Sequence, residues 1–86
     1  MSITADDLDI HSRVLNGDLL SRREREVLGH IAEGRTDREI SCLLKRSHKT
    51  VARHAENILL KLRARNRSHA VAKALTYRII GLSSEQ

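Results

Sequence analysis

Residues 36–62 read TDREISCLLKRSHKTVARHAENILLKL, and this stretch decides the fold. Thr36, with Glu39 three positions later, has the pattern of a capping box, which predicts a short helix over about residues 37–45. This helix should bury the side that carries its apolar residues: Ile40, Leu43 and Leu44. After a polar break, Ser47 can cap a longer helix that runs to about residue 63. Its apolar positions recur at spacings of three and four: Val51, Ala55, Ile58, Leu59 and Leu62.

A short helix, a turn and a longer helix with basic residues at its start form the helix-turn-helix arrangement. The second helix of such a pair has a diameter that fits the major groove of DNA, and its exposed N-terminal turns present side chains to base edges. Its free N–H groups and the positive end of its dipole also favour a nearby phosphate. The stretch therefore predicts a helix that begins near Ser47 and reads DNA.

Two further helices are predicted on either side of this pair. Upstream, Ser21 and Glu24 repeat the capping-box pattern, so a helix should begin at residue 22, and Gly34 supplies a left-handed stop. Downstream, Asn66 can cap a fourth helix that ends at Gly81. Apolar residues mark this fourth helix: Ala70, Val71, Ala74, Leu75 and Ile79. The chain is therefore predicted to be all-α, with a four-helix domain over residues 20–82.

The ends of the chain are predicted to lie outside that domain. Residues 1–19 form an acidic N-terminal extension, in which a short amphipathic helix between Thr4 and Gly17 is one interpretation. Residues 83–86 are expected to be a frayed C-terminal tail.

Composition limits the classes of function. With 86 residues the chain makes one domain at most, which leaves little room for a large catalytic cleft. Tyr77 is the only aromatic residue, so RNA binding by base stacking is disfavoured. The single cysteine, Cys42, can form no internal disulfide, and no phosphate loop, metal-ligand set or nucleophile triad is present. The sequence therefore predicts that the protein is not an enzyme and needs no metal or cofactor.

The sequence also predicts a location for the protein. Its apolar runs all fall short of the ~20 residues that a membrane span needs. The acidic start of the chain is unlike a secretory signal. We therefore expect a cytoplasmic protein with no membrane partner.

Positive charge is concentrated in one part of the chain. Residues 1–20 carry four aspartates against Arg13, whereas residues 45–67 carry eight bases against Glu56 alone, for a net charge of +7. The eight bases are Lys45, Arg46, Lys49, Arg53, Lys61, Arg63, Arg65 and Arg67. Such a basic stripe is typical of a surface that binds phosphates. The alternative is a solvated helix face, although such faces usually mix both signs.

Five short motifs resemble those of one known family. They are LSRREREVL at 20–28, EGRTDREIS at 33–41, SHKTVARH at 47–54, NILLKL at 57–62 and NRSHAV at 66–71. In order and spacing they are similar to the LuxR-type DNA-binding domain, also called NarL- or GerE-like, over about residues 19–82. The resemblance implies a four-helix domain whose third helix recognises DNA and whose fourth helix commonly forms a homodimer contact.

The resemblance also implies which residues of the third helix face bases, namely those two, three and six positions beyond Thr50. Ala52 can offer its methyl group to thymine, Arg53 can bond guanine O6 and N7, and Glu56 can accept from cytosine N4. Asn57 is a further candidate, because the family often has asparagine there. The family often places basic residues at the positions of Ala52 and Glu56, so its target sequence cannot be carried over. Two alternatives stay open: Arg53 pairs with Glu56 in solvent, or phosphates repel Glu56.

Contacts with the DNA backbone are expected from hydroxyl, imidazole and basic side chains. The resemblance implies that Thr36 and Thr50 lie near the backbone, whereas the lysines and arginines follow from the charge of the stripe. The full set is Thr36, Lys45, Lys49, Thr50, His54, Lys61, Arg65 and Arg67. Two of these have an equally open alternative: His54 completes the helix packing, and Arg67 pairs with a carboxylate of the first helix such as Glu24.

The fourth helix is expected to form the homodimer contact through Ala70, Val71, Ala74 and Leu75. Two protomers would then read an inverted repeat and combine base contacts that are each worth only about 1–3 kcal/mol. The alternative is that the larger apolar residues of this helix all face inward and only close the monomer: Val71, Leu75 and Ile79.

Together these observations predict a sequence-specific regulator of transcription that binds double-stranded DNA as a homodimer. The alternative is an interaction protein that heterodimerises with a full-length LuxR-type regulator and inhibits it. RNA polymerase and a larger LuxR-type regulator are the further partners that remain open. Met1 fits both an autonomous regulator and an excised output domain, with a slight preference for the first.

Overall fold

A computed structural model describes residues 19–79, which form four helices and no strand. The helices are α1 (Arg22–Ala32), α2 (Asp37–Leu44), α3 (His48–Leu62) and α4 (Arg67–Thr76). The predicted all-α fold with four helices is confirmed for this part of the chain. The helix considered between Thr4 and Gly17 and the tail at 83–86 lie outside the described residues.

Each helix begins at the predicted capping residue. Helices α1 and α2 both carry a complete capping box. In α1 the Ser21 N–H donates to Glu24 Oε1 at 2.9 Å, and the Glu24 N–H donates to Ser21 Oγ at 3.1 Å. The side chains of Ser47 and Asn66 accept from the N–H three positions further on, at the starts of α3 and α4. These bonds satisfy N–H groups that the first turn of a helix leaves without an intrahelical partner.

All four helices end at or just before a residue in the left-handed conformation. After α1 this residue is Gly34, with a φ of +85°, as predicted. After the other three helices it carries a side chain and has a φ of 55–60°: Lys45, Arg63 and Arg78. A side chain in this conformation is strained by about 1–2 kcal/mol, so the packing that follows each turn must offset the strain.

The predicted end of α4 at Gly81 is wrong, because the helix ends at Thr76. The chain reverses at Arg78, and the Ile79 N–H then donates to the Ala74 carbonyl at 2.8 Å. This hydrogen bond satisfies a carbonyl group of the last turn of α4, and Ile79 packs against the core.

Helix α3 lies at the centre of the fold, where it contacts α1, α2 and α4, and α1 also packs against α4. The buried apolar side chains come from all four helices and from the residues before α1. They are Leu19, Leu20, Val27, Leu28, Ile40, Val51, Ala55, Ile58, Leu62, Ala70 and Ala74. Aliphatic side chains therefore form the core, since the one aromatic residue, Tyr77, packs at its edge.

The prediction that Leu43 is buried is wrong, since 55% of its surface is exposed. Helix α2 packs chiefly against α3. It therefore needs only the narrow inner face that Ile40 and Leu44 form one turn apart.

Within residues 19–79, no helix is long and apolar enough to cross a membrane.

Candidate nucleic-acid interface

One face of α3 is exposed along its whole length. Lys49, Arg53, Glu56 and Leu60 are all exposed and follow one another at spacings of four, three and four. The buried residues of α3 have the same spacings two positions further on, so at 100° per residue the two stripes lie on opposite sides of the helix. Core packing against α1, α2 and α4 therefore turns this exposed stripe outward. The other two candidate base contacts, Ala52 and Asn57, flank it on either side and are partly exposed.

The capping residue of α3 orients the Thr50 hydroxyl. Ser47 Oγ accepts from the Thr50 N–H at 3.0 Å and donates to Thr50 Oγ1 at 2.8 Å. Either hydroxyl can donate in this second bond, and when Ser47 donates, the Thr50 hydroxyl proton is available to another acceptor. Thr50 can therefore donate to a phosphate oxygen beside the N-terminus of α3.

Four of the predicted DNA-contacting cations are exposed: Lys45, Lys49, Arg53 and Arg65. Within residues 19–79 none of their side chains forms an ion pair with a carboxylate. The pairing of Arg53 with Glu56 that the sequence left open is thus not present in the described structure. No carboxylate among residues 19–79 compensates the positive charges of these four side chains, so they can attract phosphate groups.

Lys61, in contrast, forms an ion pair inside the fold. Its Nζ donates to Glu24 Oε1 at 2.8 Å, and the Glu24 side chain is only 6% exposed. Burial acts to raise the pKa of Glu24, but the hydrogen bonds from Lys61 and from the Ser21 backbone outweigh it and lower that pKa below its usual value. Glu24 thus caps α1 and ties it to α3. A phosphate contact by Lys61 would have to share or break this pair.

Arg67 is also paired, although not with Glu24 as the sequence suggested. Its Nη2 donates to Asp37 Oδ2 at 2.8 Å, and its Nη1 lies 2.7 Å from Asp37 Oδ1. The hydrogen bond from Arg67 lowers the pKa of Asp37, against the smaller opposing effect of burial. The alternative that Arg67 pairs with a carboxylate of the first helix is therefore wrong, because its partner belongs to α2.

His54 is partly exposed, and its Nδ1 is buried without a hydrogen-bond partner among residues 19–79. A buried Nδ1 cannot reach a phosphate. Only the Nε2 edge of the ring is left for the predicted contact with the DNA backbone.

The structure corrects the predicted dimer surface of α4. Ala70 and Ala74 are only 2% and 0% exposed, so both face the core of their own protomer and cannot contact another one. Their small size lets α4 lie close to its neighbours. Leu75 is 37% exposed, and Val71 is partly exposed. Val71 and Ile79 pack against the core, so the alternative in which all three larger residues face inward is wrong for Leu75 alone.

Sequence analysis missed one residue that holds the end of the candidate interface helix. Lys73 Nζ donates to the carbonyls of Leu62 and Arg63, at 2.9 and 3.3 Å. A cation near these last carbonyls also offsets the negative end of the α3 dipole. No sequence pattern could have identified this contact, because Lys73 lies on another helix.

In the described part of the chain, no group of three histidine, cysteine, aspartate or glutamate side chains is arranged to hold a metal ion.

Acid should weaken the fold through its two interhelical pairs. The pKa values of Glu24 and Asp37 are both lowered in the folded state, so the stability they contribute is present above the usual carboxyl pKa of about 4. That stability is lost as the pH falls through the folded-state values, by about 1.4 kcal/mol for each unit of difference between the folded and unfolded pKa.

We expect the double variant Glu24→Gln/Asp37→Asn to lose less stability than the wild type between pH 6 and pH 3. Urea unfolding followed by circular dichroism measures the effect. Glu56→Gln is the matched control, because its carboxylate is exposed and forms no ion pair within residues 19–79. An acid dependence that is identical in the wild type and the double variant would contradict this prediction.

The chain is similar in sequence to known bacterial proteins. The family described as bacterial regulatory proteins, luxR family, matches residues 18–74. The chain is 47% identical over 62 residues to the transcriptional activator protein SolR of Ralstonia solanacearum, covering 72% of this chain and 26% of that protein. It is 42% identical over 57 residues to the spore germination protein GerE of Bacillus subtilis, covering 66% of this chain and 77% of that protein. The chain thus spans about a quarter of SolR but most of GerE.

Proposed function

The chain belongs to the luxR family of bacterial regulatory proteins, and on that premise we propose that it regulates transcription as a cytoplasmic, sequence-specific homodimer on double-stranded DNA. It carries the DNA-binding domain of such a regulator, and in our proposal α3 lies in the major groove. The observation that carries the proposal is the exposed stripe of α3, which presents Lys49, Arg53 and Glu56 directly opposite the core. Two relatives are named for opposite directions of regulation: SolR as a transcriptional activator, and ThaA of Burkholderia thailandensis as a transcriptional repressor.

In this proposal Arg53 and Glu56 make the base contacts that contribute most to specificity for the DNA sequence. The Arg53 guanidinium, which forms no ion pair within residues 19–79, can donate two hydrogen bonds to guanine O6 and N7, and Glu56 can accept from cytosine N4. The negative charge of Glu56 would be repelled by phosphates unless a base amino group compensates it. We propose that Ala52 and Asn57, at the flanks of the stripe, contact a thymine methyl group and a neighbouring base edge.

Contacts with phosphate would come from both ends of the helix-turn-helix pair. Thr36 caps α2 and is exposed, and the Thr50 hydroxyl, which is bonded to Ser47, can donate to a phosphate beside the start of α3. The exposed Lys45, Lys49 and Arg65 would add charge contacts and make binding depend strongly on salt. His54 is left with its Nε2 edge, and the ion pairs of Lys61 and Arg67 compete with their predicted phosphate contacts.

We propose that α4 forms the homodimer contact through Val71 and Leu75. Leu75 is an exposed, large apolar side chain, and Val71 lies one turn before it on the same face. Two protomers related by a two-fold axis would place their α3 helices in successive major grooves and read an inverted repeat.

The proposed function is tested by selecting binding sites from random duplex DNA with the purified protein. We expect enrichment of an inverted repeat whose half-sites are about one helical turn apart. Failure to enrich any sequence, together with stable association with a full-length family member, would favour the alternative of an inhibitory heterodimer. The features that support this alternative are Ala52 and Glu56, because both lack the positive charge that strengthens contacts with DNA.

Substitution should separate base contacts from phosphate contacts. Arg53→Ala is expected to cost about 1–3 kcal/mol on the selected site and to relax the preference at one base pair. Lys49→Ala is the matched comparison, because Lys49 is exposed on the same stripe but should weaken selected and random duplexes alike. Fluorescence anisotropy with both duplexes at one salt concentration measures the difference. Equal losses on both duplexes for Arg53→Ala would place Arg53 among the phosphate contacts.

A further inference from the structure

We propose that Arg67 is a positioning residue, which holds the first turn of α2 through Asp37 and thereby places Thr36 for its contact with the DNA backbone. This inference rests on the proposed function. It gives Arg67 a role different from the direct phosphate contact that its place in the basic stripe suggested.

The geometry of the pair favours this role. Arg67 Nη2 donates to Asp37 Oδ2 at 2.8 Å, and Nη1 lies 2.7 Å from Asp37 Oδ1 as an ion-pair contact, although Oδ1 accepts no hydrogen bond among residues 19–79. The Asp37 side chain is 16% exposed, so water screens the pair less than an exposed pair at the surface. A guanidinium held in this way already has its charge compensated. It is therefore a weak attractant for phosphate unless the pair opens.

The first turn of α2 has few other attachments. Helix α2 has eight residues, and Ile40 is the only one of them that is fully buried. Leu44 adds a partly buried contact at the opposite end of the helix. Ile40 closes the first turn from the apolar side, and Asp37, the first residue of α2, adds a polar attachment to another helix at the start of that turn. Arg67 can serve as its anchor because it opens α4, which packs on α1 and α3 through Ala70 and Ala74.

Thr36 is coupled directly to this turn. Its hydroxyl accepts from the Glu39 N–H at 3.2 Å, and its carbonyl accepts from the Ile40 N–H at 2.9 Å. Movement of the first turn would therefore move Thr36, which is exposed and which we propose to contact the DNA backbone. An ion pair that restrains Asp37 restrains Thr36 as well.

Two single variants distinguish positioning from phosphate contact, because the two roles predict opposite signs for one of them. Asp37→Ala frees Arg67. If Arg67 binds phosphate, this change should tighten DNA binding, whereas a positioning role predicts that it weakens binding. We expect Asp37→Ala and Arg67→Met each to weaken binding to the selected duplex by about 3- to 10-fold, with the double variant no weaker than either one.

The dependence of affinity on salt gives a second readout. Loss of one phosphate contact lowers the slope of log affinity against log salt by about 0.9. We expect the slope for Arg67→Met to equal that of the wild type. Arg23→Met is the matched control, since it breaks the exposed Arg23–Glu26 pair on α1 and should leave DNA affinity unchanged.

Hydrogen exchange of the free protein tests the pair without DNA. We expect Arg67→Met to speed exchange of the Glu39 and Ile40 amides while the core amides of α3 keep their protection, which also shows that the variant is folded. Tighter binding by Asp37→Ala, a reduced salt slope for Arg67→Met, or faster exchange with unchanged affinity would each overturn the positioning role and leave the proposed function intact. A wild-type protein with no preferred duplex would overturn the proposed function instead.

Discussion

Replacement of Leu62 with alanine is expected to lower the free energy of unfolding by about 2–5 kcal/mol. Leu62 is 0% exposed and lies in the last turn of α3, the helix that contacts the other three. Removing three carbon atoms there loses apolar burial and leaves a cavity that the surrounding helices can fill only in part. Small domains are stable by about 5–15 kcal/mol in total, so the loss is a large fraction of the whole.

The same helix supplies a matched control for this prediction. Leu60 is 76% exposed, and Leu60→Ala makes the same chemical change two residues away. It should alter stability by no more than about 0.5 kcal/mol, because exposed positions lose little burial. Denaturant unfolding followed by circular dichroism compares the two variants. Equal destabilisation by both would mean that the burial of Leu62 is not what stabilises α3.

Introduction of glutamate at Leu75 is expected to abolish dimeric binding to the inverted repeat. If Leu75 lies in the proposed α4 contact, the change buries an unpaired carboxylate in each protomer, which costs several kcal/mol. Since 1.4 kcal/mol is tenfold in affinity, we expect a loss of more than about 100-fold on the inverted repeat. Binding to a single half-site should change little, because each α3 keeps its own contacts.

The design of this experiment depends on the burial of α4. Ala74 is unsuitable as a test position, because it is fully buried and a glutamate there would disrupt the monomer. Thr76→Glu is the control for added charge, since Thr76 is exposed but about 100° around the helix from Leu75. Sedimentation with and without DNA gives the oligomeric state, and far-ultraviolet circular dichroism shows whether each variant folds. A folded Leu75→Glu protein that still binds the inverted repeat as a dimer with wild-type affinity would refute the α4 contact.

The candidate interface was predictable from the sequence to the extent that it depends on helical periodicity. The exposed stripe with Arg53 and Glu56 follows once Val51 and Ile58 are assigned to the core, because a helix has a fixed angle per residue. The count of eight bases was less informative, since it does not say which charges are already compensated. Lys61 and Arg67 find their carboxylates 37 and 30 positions away in the chain, on helices that the sequence cannot place.

The sequence by itself determined where each helix begins. Capping bonds join residues only three positions apart, so Ser21, Thr36, Ser47 and Asn66 act before any tertiary contact is made. The ends of the helices were different. Gly34 was recognisable because glycine adopts the left-handed conformation without strain. The other three helices are each followed by a lysine or arginine in that conformation, and only the packing of the chain beyond it can offset the strain.

Tertiary structure alone decided which side of α4 faces the core. Its apolar residues fit helical periodicity in more than one orientation, with either the alanines or the larger residues turned inward. The described structure buries Ala70 and Ala74 and leaves Leu75 exposed. The physical reason is the close approach of α4 to α1 and α3, which admits methyl groups at the contact and moves the larger side chains to its edge.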